Sequence, residues 1–234
     1  SIICSHERIR FRMNEDDKSH AGTGLRIFRN FGYLTIGKVL GDVFTFLFFL
    51  VLARNFGQEG IGQYSFAMAL TGVLVVFADF GLQNLSIKDM SRDRDQVAMY
   101  YGRLMAVRLV LLVSVGAALV LMTTFLPFSE KTKLLIIVIG AYQIFITLVN
   151  GFGAVFVALE SMHVTSLLEV SLRVTTAITG IVIVWGGGSL LLAISSLPVM
   201  TILHVALGYY LTHRRCGALH LSVTLAGVRQ VLGD

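Results

Sequence analysis

Residues 33–82 read YLTIGKVLGDVFTFLFFLVLA (33–53), RNFGQEG (54–60) and IGQYSFAMALTGVLVVFADFGL (61–82), two apolar runs on either side of a short connection. Each run is long enough to cross a bilayer, because a helix rises about 1.5 Å per residue and the hydrocarbon core is roughly 30 Å thick. The first run nevertheless contains Lys38 and Asp42, and the second contains Asp79. Charges at that depth are costly unless they pair or face a polar cavity. The stretch therefore predicts two membrane-spanning helices joined by a hinge.

The composition of the whole chain is that of a membrane protein. Of its 234 residues, 55% are hydrophobic and 14% are charged, and the mean hydropathy is +0.77. Six windows reach spanning length: 33–53, 61–84, 104–126, 134–158, 164–185 and 190–212. Such spans must be helices, because lipid offers backbone groups no partners and barrel strands are about half as long. We predict an all-α membrane protein whose residues 33–213 form a bundle of six transmembrane helices.

Lysine and arginine are unevenly distributed between the predicted loops. Thirteen lie before the first window, between the second and third, or after the sixth: Arg8, Arg10, Arg12, Lys18, Arg26, Arg29, Lys88, Arg92, Arg94, Arg103, Arg214, Arg215 and Arg229. The alternate loops hold only Arg54, Lys131 and Lys133. Because cation-rich loops stay in the cytoplasm, we predict a multi-pass protein of the cytoplasmic membrane with both termini inside.

The two ends of the chain are predicted to be cytoplasmic segments. Residues 1–32 precede the first window, and an ordinary polar N-terminus begins at Met13, so we expect residues 1–12 to be extraneous. We expect residues 214–234 to form a cytoplasmic tail or a linker. Cys4 and Cys216 both fall on the predicted cytoplasmic side, so no disulfide framework is expected.

Several polar residues inside the windows allow two interpretations. Glu169 and Arg173 have the spacing and order of a helical ion pair, which favours a self-neutralised structural pair. Arg108 either snorkels to the headgroups or faces the interior. Gln143 and Asn150 are interpreted as interhelical glue rather than ligand contacts. Gly37 and Gly41 form a small-xxx-small pair that lets another helix approach, and His204 is interpreted as a packing residue rather than a proton relay.

The sequence offers no positive case for an enzyme. It contains no metal-ligand cluster, nucleophile elbow, Walker loop or suitably spaced catalytic carboxylates. Asp79-Phe80-Gly81 spells the kinase metal motif, but the other kinase motifs are missing. We expect no catalytic residue, no cofactor and no metal. Because the cations that give the net charge of +5 sit mostly in membrane-flanking loops, we expect no nucleic-acid partner either.

Short motifs along the chain occur in an order that resembles the polysaccharide (O-antigen type) flippases of the multidrug/oligosaccharidyl-lipid/polysaccharide exporter superfamily. They are Lys38-Val-Leu-Gly41, Leu52-Ala-Arg-Asn-Phe-Gly57, Gly60-Ile-Gly-Gln-Tyr64, Ala78-Asp-Phe-Gly-Leu82, Ile87-Lys-Asp-Met-Ser-Arg92 and Ala158-Leu-Glu-Ser-Met162. The resemblance extends from residue 31 nearly to the end. Members of that family have two six-helix lobes around a central cavity, and this chain is similar to the N-terminal lobe.

The resemblance implies that the chain takes part in flipping a polyprenyl-diphosphate-linked oligosaccharide for surface polysaccharide or lipopolysaccharide biosynthesis. Its partners would be the lipid-linked oligosaccharide, membrane lipids and a second six-helix lobe or partner chain. A diphosphate needs cations in a water-accessible cavity, and Lys38, Arg108 and Arg173 are the cations within the windows. Asp42, Asp79 and Glu169 would balance their charge or bind a coupling ion.

Two alternatives stay open at this point. A drug or small-molecule exporter of the same superfamily would need an apolar or anionic cavity. A non-transporting membrane scaffold of a glycan-synthesis complex would use the intramembrane ion pairs only to fix helix packing.

The charges lie on one side of the predicted crossings. Counted from the cytoplasmic end of each window, they fall within the inner half, and the outer halves contain no Asp, Glu, Lys or Arg. This asymmetry predicts a hydrated inner cavity lined by Lys38, Asp42, Asp79, Glu169 and Arg173, which the uncharged helix halves close toward the outside.

The predicted topology can be tested with single cysteines in a background that lacks Cys4 and Cys216. Ser129→Cys lies in an outer loop and should react with an impermeant thiol reagent in intact cells, whereas Ser91→Cys lies in an inner loop and should react only after lysis. Labelling of Ser91→Cys in intact cells would show that the topology is wrong.

Overall fold

The computed structural model describes residues 3–79, 87, 97–125, 127–159 and 161–216. Side chains are described at 32, 35–76, 87, 101–102, 105–125, 127–159 and 161–214. The elements are five helices: α1 (Ile3–Asp79), α2 (Val97–Phe125), α3 (Glu130–Ala158), α4 (Met162–Trp185) and α5 (Leu190–Cys216). Within the described ranges every regular element is helical, so the predicted all-α class is confirmed.

Each of the five helices includes a segment long and apolar enough to cross a membrane. The segments are Thr35–Val76, Met105–Phe125, Glu130–Ala158, Met162–Trp185 and Leu190–Arg214. The chain is therefore a multi-pass membrane protein. The sequence predicts six such segments where the described residues give five, and the difference lies in α1, which contains the first window and residues 61–79 of the second.

Helix α1 is interrupted at one residue. Its apolar segment has 42 residues, which would extend about 63 Å if straight, twice the thickness of the hydrocarbon core. At Gly57 the backbone has φ 64° and ψ −165°, a conformation almost restricted to glycine. The predicted hinge, Ala53 to Gly62, is thus reduced to a break at Gly57 with helix on both sides. We call the helical segments before and after it the N-terminal arm and the C-terminal arm of α1.

The N-terminal arm packs against α4, and the two helices run in the same direction. Gly37 lies against Ser166, Gly41 lies against Arg173, and Phe48 lies against Gly180, so residue numbers rise together along the contact. At Gly37 and Gly41 the neighbouring side chains occupy the space that a Cβ would need. The predicted role of this glycine pair in close helix packing is therefore confirmed.

The C-terminal arm packs in parallel with α3. Thr71 lies beside Gly140 and Gly72 lies beside Gln143, while Gln63 shares a cavity wall with Leu135 nearer the start of both segments. Helices α3 and α4 form an antiparallel hairpin, in which the Thr165 hydroxyl donates to the Gly153 carbonyl over 3.1 Å. Because each arm is parallel to one member of this antiparallel pair, the two arms run in opposite directions.

The largest apolar core lies at the end of the bundle near Gly57. Its buried members come from both arms of α1 and from all four other helices: Phe48, Leu52, Tyr64, Ala67, Leu119, Leu135, Ile136, Ile139, Ala177, Val184, Ala193, Ile194 and Leu197. These residues belong to the halves of the predicted windows that carry no charge. The charged halves lie toward the other end.

Helix α3 begins four residues before its predicted window because its first turn is capped and charge-paired. The N–H of Thr132 donates to the Ser129 hydroxyl over 3.3 Å, which satisfies one of the free N–H groups at the helix start. Lys133 forms a salt bridge of 2.9 Å with Glu130 on the same turn. Polar residues that read as loop in the sequence are therefore helical.

The backbone break predicts a specific sensitivity to substitution. Gly57→Ala should lower the free energy of unfolding by about 1–3 kcal/mol, because alanine is strained at this φ and ψ. Gly62→Ala is the matched control, since a Cβ there has nothing within 4 Å and alanine favours a helix. Denaturant unfolding in detergent micelles would measure both, and equal stabilities of the two variants would contradict the break.

Candidate functional site: charges between two parallel helices

Four charged side chains meet where the N-terminal arm of α1 packs on α4. Lys38 and Asp42 are one turn apart on the arm, and Glu169 and Arg173 are one turn apart on α4. The Arg173 guanidinium donates through Nη1 to Oδ1 of Asp42 in a salt bridge. Lys38 and Glu169 each lie one turn before the residues of this salt bridge on the same two helices, where Gly37 packs against Val170. We call these four residues the charge cluster, and it contains two cations and two carboxylates.

The glycine packing explains why the charges meet. Gly41 has no side chain, so the aliphatic part of Arg173 crosses the arm at that residue and the guanidinium reaches Asp42, the next residue along. One turn earlier, Gly37 lies against Ser166 and Val170, which keeps the helices close. Because the two helices are parallel, all four charges lie at nearly the same level in the membrane.

The sequence predicts that Arg173 pairs with Glu169 within α4, and this prediction is wrong. Among the described side chains, Arg173 forms its ion pair with Asp42 on the other helix, and no salt bridge joins it to Glu169. The helical spacing allows both arrangements. The space over Gly41 favours the contact between helices, a tertiary feature that spacing within α4 does not contain.

The charge cluster lies on an open face of the described bundle. The Asp42 side chain is 54% exposed and the Arg173 side chain 29% exposed, although the two are paired. Lys38 is also exposed, while Glu169 is half-buried. Within a membrane, such a face requires water, a ligand or another protein segment in place of lipid. Within the described part of the chain, both side chains of the pair are therefore accessible.

Arg108, the third predicted cation, has a different environment. It is 4% exposed, and its guanidinium packs against Gly151 of α3 beside Met105. The interior-facing interpretation therefore describes Arg108 better than snorkelling does. It is held at the interface of α2 and α3, not on the open face that carries the charge cluster.

The remaining predicted site residue is only partly described. Asp79 is the last residue of α1, and its side chain lies outside the described residues. The predicted cytoplasmic loop of residues 86–96 is described only at Ile87, and the tail beyond residue 216 lies outside the described ranges. Among the described residues, no group of three or more His, Cys, Asp or Glu could hold a metal ion.

A second polar feature lies between the C-terminal arm of α1 and α3. A cavity of about 320 Å³ is lined by Gly72, Val75, Val76, Gln143, Ile146, Thr147 and Asn150, and we call it the amide groove. The Thr147 hydroxyl donates to the backbone carbonyl of Gln143 over 2.8 Å. The side-chain amides of Gln143 and Asn150 form no hydrogen bond with any described residue. The predicted role of these amides as interhelical glue is thus not seen in the described part of the chain.

His204 behaves as the packing residue that the sequence predicts. It is 8% exposed, with Nδ1 2.9 Å from the Met200 carbonyl oxygen and Nε2 3.2 Å from the Ser171 hydroxyl on α4. Both ring nitrogens therefore have protein partners, and the imidazole joins α4 to α5.

Membrane-spanning helices with a paired set of charges at one level define the chain as a polytopic membrane protein with a polar intramembrane site. A sequence profile of the polysaccharide biosynthesis protein family matches residues 27–233. The chain belongs to this family, as the sequence motifs predict. No curated protein and no solved structure matches the chain.

A double-mutant cycle tests the pairing of Asp42 with Arg173. Asp42→Asn and Arg173→Gln should be non-additive in unfolding free energy, by about 0.5–1 kcal/mol, because each single change leaves the other charge without its partner. As the control, Asp42→Asn combined with Lys133→Gln should be additive, since Lys133 pairs with Glu130 at the start of α3. Additivity in both cycles would contradict the ion pair.

Proposed function

We propose that this chain takes part in flipping a polyprenyl-diphosphate-linked oligosaccharide across the cytoplasmic membrane for surface polysaccharide biosynthesis. The observation that carries the proposal is the charge cluster, in which Lys38 and Arg173 lie at one membrane level on an open face. Membership in the polysaccharide biosynthesis family supports a glycan substrate. In such a substrate the charged and sugar parts must cross the membrane, while the polyprenyl chain stays in lipid.

The chemistry of the cluster suits a diphosphate. The Arg173 guanidinium is planar and can form two parallel hydrogen bonds to phosphate oxygens, while Lys38 supplies a compact positive charge beside it. Without substrate, Asp42 forms the salt bridge with the Arg173 guanidinium, so the membrane does not contain an isolated cation with its high free energy. A diphosphate would displace Asp42 from Arg173. The released carboxylate, with Glu169 nearby, would then be available to a coupling cation.

The transport path requires the charges to face the cytoplasm first. We propose six crossings, with the two arms of α1 as the first and second and both termini inside. The opposite directions of the arms and the 42-residue length of the apolar segment support this count. The Lys and Arg distribution in the sequence supports the orientation. In this arrangement the apolar core near Gly57 forms the outer closure of the site.

The open face of the charge cluster supports a role as one lobe of a two-lobe transporter. A second six-helix lobe, on the same polypeptide or on a partner chain, would cover the cluster and leave a hydrated cavity between the lobes. No bond is made or broken in flipping, so the proposal requires no catalytic residue and no cofactor.

One alternative function draws on a specific observation. The Asp42–Arg173 salt bridge joins the N-terminal arm of α1 to α4, as it would in a scaffold of a glycan-synthesis complex whose ion pairs only fix packing. The exposure of both side chains favours the transport proposal, because a purely structural pair has no need of an open face. A drug exporter receives less support, since it would need an apolar or anionic cavity and this face carries as many cations as carboxylates.

Substitutions in cells that depend on this chain for surface polysaccharide can separate these functions. Lys38→Ala and Arg173→Ala should each reduce export severalfold, and the double variant should reduce it at least about tenfold, because charge-assisted contacts to phosphate are lost. Lys133→Ala is the matched control and should export normally, since this cation lies at the start of α3 and pairs with Glu130. Surface polysaccharide would be quantified at equal protein levels.

A neutral replacement of the ion pair distinguishes transport from scaffolding. Asp42→Asn combined with Arg173→Gln keeps two polar groups of similar size in contact but removes the cation. The scaffold function predicts normal polysaccharide, and the transport function predicts loss. Normal export in this variant and in the Lys38→Ala, Arg173→Ala variant would overturn the cation site.

A further inference from the structure

We infer that the amide groove binds the neutral, hydroxyl-rich part of the substrate, with Gln143 and Asn150 as its sugar-contacting residues. This inference rests on the proposed function, because it assigns to the groove the oligosaccharide of the same lipid-linked substrate. It goes beyond that function by naming a second subsite, separate from the charge cluster, and the residues that would set specificity for the sugar.

The free hydrogen-bonding capacity of the groove is the main observation. Gln143 and Asn150 are seven residues apart on α3 and so lie on one face, and neither side-chain amide bonds to a described residue. Thr147, between them, directs its hydroxyl to its own helix. A carboxamide without a partner is costly in a membrane interior. The groove must therefore contain water or a ligand that takes its place.

The chemistry of the lining selects the ligand class. Each amide offers two N–H donors and one carbonyl acceptor, and a sugar hydroxyl both donates and accepts. The groove has no charged residue among those that line it, so nothing there favours an anion or a cation. The rest of the wall is aliphatic, from Val75, Val76 and Ile146, and can pack against the C–H faces of a sugar ring. A neutral polyhydroxyl ligand matches all of these features.

The position of the groove relative to the charge cluster suits a single extended substrate. Asp42 and Gly72 are equally far along the chain from the break at Gly57, and the two arms run in opposite directions, so these residues lie at a similar level of the bundle. The two subsites therefore lie at a similar level, with the groove beside α3 and the cluster beside α4. A diphosphate held by Arg173 could place its first sugars along α3.

The volume of the groove and the close approach of Gly72 to Gln143 support a small occupant. About 320 Å³ is at the lower end of the roughly 300–1,000 Å³ that ligand pockets occupy. Gly72 forms part of the opposite wall, and the Gln143 amide nitrogen lies 3.5 Å from the place where a Cβ of residue 72 would be. A larger side chain at residue 72 would therefore fill the groove directly over Gln143.

Binding of two lipids to the full chain in nanodiscs tests the inference. The probes are a polyprenyl diphosphate that carries a neutral hexose oligosaccharide and the same lipid without sugar. The native chain should bind the sugar-bearing lipid more tightly. Gln143→Leu combined with Asn150→Leu should lower the affinity for the sugar-bearing lipid about tenfold, to that of the sugar-free lipid. The affinity for the sugar-free lipid should not change. Gln63→Leu is the matched control, because it removes an amide that lies outside the groove and donates to Glu59, and it should change the binding of neither lipid.

The outcomes separate this inference from the proposed function. Lys38→Ala combined with Arg173→Ala should lower the affinity for both lipids. If neither lipid binds the native chain, the proposed function fails and the inference fails with it. If both lipids bind and the double leucine variant keeps the preference for sugar, the groove assignment alone is overturned.

A labelling measurement provides a second readout that does not depend on the lipid. Val76→Cys, in a background without Cys4 and Cys216, lies on the groove wall and should react with a small polar thiol reagent. Excess free hexose oligosaccharide should slow this reaction, and the double leucine variant should abolish the protection. Protection that persists in the double leucine variant would contradict the role of the amides.

Discussion

The close packing of the N-terminal arm of α1 on α4 is the contact on which the rest of the site depends. A cation and a carboxylate each have a high free energy in a membrane, and it falls only when the two form an ion pair with good geometry. Gly37 and Gly41 let the two helices approach closely enough for this ion pair, because side chains of α4 occupy the space that a Cβ would take at each glycine. With larger residues at these positions, Arg173 would not reach Asp42, and each charge would need water or a different partner.

The parallel direction of these helices is as important as their distance. Parallel neighbours place residues with the same offset along the contact at the same level, so Lys38, Asp42, Glu169 and Arg173 form one layer. That direction follows from the reversal at Gly57, which lets the first arm run with α4 while the second runs with α3. One glycine conformation thus places the charge cluster and the amide groove at a similar level, beside the two members of an antiparallel hairpin.

Sequence reasoning predicts the class of the fold and the glycine packing well, because hydrophobic length and small-residue spacing are local properties. It predicts which residues carry charge in the membrane, but not their partners. The partner of Arg173 depends on a neighbouring helix more than a hundred residues away in the chain, and helical spacing within α4 favours Glu169 instead. The same limit applies to Gln143 and Asn150. Their amides could equally form hydrogen bonds between helices or contact a ligand, and only the helix on the other side of the amide groove distinguishes these roles. Their seven-residue spacing was the signal for a shared face, and Gly72 opposite them was not predictable from that spacing.

The separation of charges from the apolar core gives the two ends of the bundle different mechanical properties. The end near Gly57 is packed with aliphatic and aromatic side chains, including fully buried Leu52, Ile136 and Ile194, and such packing resists small displacements. The end with the charge cluster has smaller buried clusters, around Phe152, Val155 and Leu168, and its salt bridge between the N-terminal arm and α4 is exposed. Under the proposed function, an anion that replaces Asp42 at Arg173 would leave the apolar core near Gly57 in place. Release at the other end would require that core to part, so the larger conformational barrier would lie there.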